Sequence, residues 1–71
     1  MQFDYSKLLG RMKEFGYTQE RLAKETGITK VTMNLKLNNK AFFTQPEIEK
    51  IREVLCIAHG EIDVYFFTLK V

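Results

Sequence analysis

One cysteine, one histidine and no long apolar run are the first facts of this 71-residue chain. A single cysteine, Cys56, excludes a disulfide within the chain. With only His59 beside it, the chain falls short of the four N or S ligands that a structural zinc site wants. The lone thiol fits a reducing cytoplasm, with Cys56 read as a small core or helix-end residue. No apolar stretch approaches the ~20 residues of a membrane span. The amino terminus, MQFDYSKLLG, lacks the apolar segment of a signal peptide. A Gly-rich phosphate loop, a His/Cys/Asp constellation and paired carboxylates at catalytic spacing are all missing, so an enzyme is poorly supported and no cofactor is expected. Internal repeats and linkers are absent too, which leaves one small domain spanning residues 1–71. A core of that size is marginal without a disulfide, a metal or a second chain. With the first two excluded, a homodimer is expected.

Acid is missing from one place in particular. Between Glu25 and Glu47 there is none, while Lys30, Lys36 and Lys40 fall in that gap. Residues 1–40 carry eight Lys/Arg against four Asp/Glu; residues 41–71 carry three against five. The net charge of +2 is thus a basic portion of +4 joined to an acidic one of −2. A basic stretch free of acid lowers the cost of approaching a polyanion.

The pattern of apolar and capping residues predicts an all-α domain. A first helix over about residues 4–15 is capped by Asp4 or Ser6. It has Leu8, Leu9, Met12 and Phe15 on one face and Gly16 beyond its end. Thr18 caps a second helix with Leu22 and Ala23 facing inward. Gly27 supplies the backbone freedom for a sharp turn, Ile28 fills the angle, and Thr29 caps a third helix over residues 30–37. Asn38, Asn39 and Lys40 form a turn cluster. Thr44 and Glu47 form a capping box, with Pro46 in the first turn of a fourth helix over residues 45–55. Ile48, Ile51, Val54 and Leu55 make its apolar stripe, and Glu47, Glu49 and Glu53 its solvated face and dipole-favoured start. Ile57 anchors the crossing into a fifth helix over residues 59–66, with Ile62, Tyr65 and Phe66 on one side and an extended tail over residues 68–71. A strand over residues 64–68 is the alternative, because that stretch is rich in β-formers.

The third helix is unusual. At about 100° per residue, Met33 and Leu37 share one side and pack inward. Val31, Asn34, Leu35 and Asn38 then face outward, with Thr29 and Lys30 leading at the amino end. Such a face is odd for a solvated helix and suits base edges: Asn can bond adenine bidentately, and an apolar group can meet a thymine methyl. Two other roles stay open, Leu35 as a packing residue and Asn38 as a helix cap.

Gln19, Leu22-Ala23, Gly27-Ile28 and Met33 stand where the Cro and repressor-type (XRE) helix-turn-helix domains carry Gln, Leu-Ala, Gly-Ile and an apolar residue. The chain resembles that family, and more narrowly the small Cro-like prophage proteins of Gram-positive bacteria and their phages. The runs TMNLKLNNKAFFTQPEIEKI and EIDVYFFTLKV carry the closer likeness, which covers about residues 4–70. The resemblance implies a five-helix, lambda-repressor-like domain with its third helix in the major groove. It implies a phosphate contact from Gln19, helped by amides at that helix start. Lys40 would clamp the DNA backbone, with Lys36 a weaker candidate for the same task. The chain departs from the pattern at Lys36, where relatives have an apolar packing residue, so the rotation of the third helix stays open. It departs again at Ala58-His59, where relatives often have Ser-Pro.

Two functions follow from different classes. The first is a DNA-binding transcriptional regulator that reads a near-palindromic operator as a dimer, with base contacts from Thr29, Lys30, Val31, Asn34, Leu35 and Asn38. The second is a protein-interaction module that keeps the fold without reading DNA, with Val31 and Leu35 as its patch. Dimerisation is expected through the carboxy-terminal aromatics Tyr65, Phe66 and Phe67, with Leu69. Phe42 and Phe43 can join them. Closure of the monomer core is the competing role for all of these.

Overall fold

Three threonines decide where three of the helices begin. Thr18, Thr29 and Thr44 each sit in extended backbone, and each side chain accepts the amide three residues on, from Arg21, Thr32 and Glu47. In this computed structural model, which describes residues 2–71, the helices they cap are α2 (Gln19–Thr26), α3 (Lys30–Leu37) and α4 (Gln45–Val54). Thr44 and Glu47 form the full capping box, with proline in the first turn. α1 (Ser6–Glu14) precedes them. A single 3₁₀ turn (His59–Glu61) leads into the short α5 (Ile62–Phe66). The described residues thus form a small all-helical domain of five α-helices. Its Cα radius of gyration, 11.0 Å, matches the roughly 11 Å expected of a compact chain this long.

Three helices end in one way with three different residues. At each, a left-handed residue lets its own amide and the next turn back onto the last carbonyls. Gly16 (φ 73°) closes α1, with its own N–H on Lys13 and that of Tyr17 on Met12. Asn39 (φ 61°) closes α3 onto Lys36, with Lys40 on Leu35. Cys56 (φ 54°) closes α4 onto Glu53, with Ile57 on Arg52. Cys56 is therefore a helix-end residue with an exposed thiol. The carbonyls beyond α4 are taken by guanidinium groups: Arg11 donates to Leu55 and Cys56 at 2.9 and 2.8 Å, and Arg52 to Ile57 at 3.1 Å.

α2 packs on α3 and α4, and α1 packs on α5. The core gathers Leu8, Met12, Leu22, Met33, Ile51, Leu55, Ile57 and Phe66, with Ala23, Ile28, Leu37 and Ile48 around them. The inward face of α1 differs from the expected one. Helix begins at Ser6, and the buried face is Tyr5, Leu8 and Met12, while Leu9 and Phe15 lie exposed. Leu9 sits about 100° from Leu8, too far round to share its burial. The Phe15 ring instead carries the Arg11 guanidinium, 4.5 Å from its centroid. Asp4 still serves the helix start, accepting the Ser6 amide at 2.9 Å.

The two ends of the chain meet. Phe3 and Leu69 form an antiparallel bridge, flanked by Asp4 N–H to Thr68 C=O at 2.7 Å and Lys70 N–H to Gln2 C=O at 3.0 Å. The stretch over 64–68 is thus helical as far as Phe66, with extended pairing only at Leu69. The aromatics divide between core and surface. Phe66, 2% exposed, closes the core against Phe43. It cannot belong to an association surface as expected, because one step along a helix turns a side chain about 100°. Phe67 (50%), Phe42 (67%) and Leu69 remain exposed, and Tyr65 is half-buried.

Candidate nucleic-acid interface

α3 carries no acid and shows two apolar surfaces. Met33 and Leu37 are buried, while Val31 is 71% and Leu35 43% exposed. Lys36 decides the rotation between them. It lies about 60° from Met33 on the side away from Leu37, and it is buried, 9% exposed. The inward arc therefore runs Lys36, Met33, Leu37, and the outward arc runs Asn34, Asn38, Val31, Leu35.

Lys36 is not free to contact a phosphate, which corrects the flank role expected of it. Its ammonium donates to Oε1 of Glu47, the oxygen that also accepts the Thr44 amide at 2.8 Å. Burial by itself would raise the Glu47 carboxyl. The hydrogen bonds from Lys36 and Thr44 outweigh it and hold the group below its ordinary value of 4.5. Lys36 thus fills the packing position with its aliphatic stem and brings its charge to a carboxylate on α4.

The other expected residues fall on or beside one surface. Gln19, Lys30, Val31, Asn34 and Leu35 line a shallow hollow where the start of α2 meets the outward side of α3. Asn34 Nδ2 donates to Gln19 Oε1 at 3.4 Å, joining the two helices at the rim. Lys30 leads the face but pairs at 3.3 Å with Glu20, both well exposed. So the acid-free run in the sequence has an acid beside it in space. An exposed pair of this kind contributes little and is screened by salt. Thr29 is occupied as the cap, and its hydroxyl also donates to Thr32 at 2.8 Å. Asn38 donates from Nδ2 to the Asn34 carbonyl at 2.8 Å, which makes it a helix-end group on the outward side. Lys40 is exposed, and among the described residues no carboxylate pairs with it. Arg21 is held by Glu25 at 2.9 Å and lies over the Tyr17 ring. The Tyr17 hydroxyl, donating to Glu25, is raised by that bond. Among the described residues no three His, Cys, Asp or Glu side chains gather where they could hold a metal, and no helix is long and apolar enough to cross a membrane.

Two residues were invisible as site neighbours from the sequence. Glu47 reads there only as a capping residue, and its link to Lys36 spans eleven positions. Asn39 reads as a turn residue, yet its side chain holds both backbone groups of Phe3 across 36 positions. Lys36 itself had a local signal, since it stands three residues after Met33 on the helical period.

A family model described as "Protein of unknown function (DUF739)" matches residues 1–69. The chain belongs to this family. The match covers every element that builds the α2–α3 surface, and the family description assigns it no activity. No curated protein matches the chain.

Proposed function

We propose that this DUF739 chain is a sequence-specific DNA-binding regulator, with α2 and α3 as a lambda-repressor-like helix-turn-helix and α3 as the reading helix. The observation that carries the reading is the outward face of α3: an acid-free helix that leaves Val31 and Leu35 exposed beside Asn34 and Gln19. Exposed apolar groups interleaved with amides fit thymine methyls and adenine edges. Lys30, Val31, Asn34 and Leu35 are the base readers in this reading, with Thr29 and Asn38 at the two ends of the face. Gln19 and Lys40 contact phosphates, and Lys36 is excluded from that set. The regulator acts by occupying promoter DNA as a cytoplasmic, Cro-like repressor of phage or prophage type.

A second copy completes it. Phe3 and the exposed Phe42 and Phe67 line two apolar hollows that share Ile48 and Phe67, and Leu69 is exposed as well. An isologous dimer through these exposed rings is the association that belongs to this reading. Sedimentation over a concentration series tests this: a dimer weakened by Phe67→Ser is expected, and a monomer at all concentrations and on DNA would oppose it.

Gel shifts of Asn34→Ala and Lys30→Ala on a selected duplex test the reading helix. Loss of duplex preference with an intact fold is expected. The same exposed pair, Val31 and Leu35, also favours a second reading, a protein-docking patch. Under that reading neither variant changes duplex binding.

A further inference from the structure

We propose that Asn39 couples the aromatic face to the seating of α3, so that docking of a second copy and presentation of the reading face become one event. The proposal rests on the reading just given and names how its two surfaces communicate. Asn39 occupies the left-handed position at the end of α3, where its own amide closes onto Lys36. Its side chain leaves the helix altogether. Oδ1 accepts the Phe3 amide at 2.7 Å and Nδ2 donates to the Phe3 carbonyl at 2.9 Å. On the opposite edge, Gln2 and Asp4 pair with Lys70 and Thr68. The carboxamide therefore stands where a third strand would, and it takes both polar groups of Phe3 that the bridge leaves unpaired.

Phe3 is the hub of the aromatic face. Its ring centroid lies 6.3, 6.0 and 5.7 Å from those of Tyr5, Phe42 and Phe67. Phe42 and Phe67 are the exposed rings a second copy would cover. Residues 38–44, which carry Phe42, are held at both ends: by Asn39 on Phe3, and by the Thr44 amide on the Glu47 oxygen that also receives Lys36. A shift of Phe3 therefore acts directly on the residue that ends α3, through the two Asn39 hydrogen bonds. These contacts are the proposed linkage between the two surfaces.

Asn39→Gly is the clean variant. Glycine adopts the left-handed conformation freely and keeps the amide bonds that end α3, so the clamp is the contact the folded chain loses. With the full chain on a selected palindrome and on its half-site, wild type is expected to gain about tenfold or more from the second half-site, within the usual range of coupling. Asn39→Gly should keep half-site affinity within about twofold and lose most of that gain, as a coupling residue requires. Retention of the full gain would overturn the proposal. A readout without DNA separates this from failure of DNA reading. Phe67→Ser should speed amide exchange at the end of α3 in the wild-type background and have no further effect in Asn39→Gly. An equal response in both backgrounds would overturn the coupling, whether or not the protein binds DNA.

Discussion

The two sides of α3 hold similar apolar pairs with opposite surroundings. Met33 and Leu37 face the core and are joined by Lys36, whose charge is delivered to Glu47. Val31 and Leu35 have the same four-residue spacing and stay in water, with Asn34 and Gln19 beside them. Hydrophobicity alone therefore does not choose the buried side. The choice lies with a buried cation that has one acceptor on α4, and with Leu37 at the other edge of the same arc. A buried ion pair is weak evidence for stability, but a directional contact can set which way a helix faces. The outward pair contributes nothing to the core and stays open to contact from outside.

The strongest way to break this comparison is to truncate one residue on each side. Met33→Ala should lower unfolding free energy by about 3 kcal/mol, because a fully buried methionine leaves a cavity. Val31→Ala should change it by less than about 0.5 kcal/mol, as for surface positions generally. Denaturant titration of both checks the pair; equal losses would mean that the outward side is also structural.

Lys36→Ala comes next. It strands Glu47 and removes a packed stem, and a loss of about 2–3 kcal/mol is expected. That is below the usual figure for a broken buried pair because both groups keep some contact with water. The pH profile sharpens this. The Glu47 carboxyl is held low in the folded protein, so the unfolded chain binds the proton more readily. Its stabilisation is present above the ordinary value of 4.5 and fades as pH falls through the lower folded value. Thermal melts from neutral pH down through this window should show that loss in wild type and a smaller one in Lys36→Ala.

How much of this was legible depends on range along the chain. Thr18, Thr29 and Thr44 announce their helices because a cap acts three residues away. Gly27 and the inward pair Met33 and Leu37 are equally local. Lys36 looks like a flanking phosphate contact in the sequence because its acceptor stands eleven positions on, across a turn. Asn39 shows in the sequence only as a turn residue because its partner is the third residue of the chain. The aromatic tail misled for a different reason: Phe66 and Phe67 are adjacent in sequence but point to opposite environments. No single face of α1 can hold Leu9 and Phe15 together with Leu8 and Met12.

Asn34→Ala probes the outward side by itself. Duplex discrimination should fall by about 1–3 kcal/mol, the range for one bidentate base contact, with the melting temperature nearly unchanged. Lys40→Ala should instead weaken binding evenly across sequences and reduce the slope of affinity against salt by about one. A sequence-specific loss at Lys40, or a uniform one at Asn34, would exchange the two assignments.

The most direct test of the central claim, that the outward face of α3 reads DNA, is in vitro selection from random duplexes by the full chain. The expected result is a near-palindrome with half-sites about one helical turn apart, whose enrichment disappears in Asn34→Ala. No enriched duplex at moderate salt, or the same duplex enriched equally by Asn34→Ala, would contradict it.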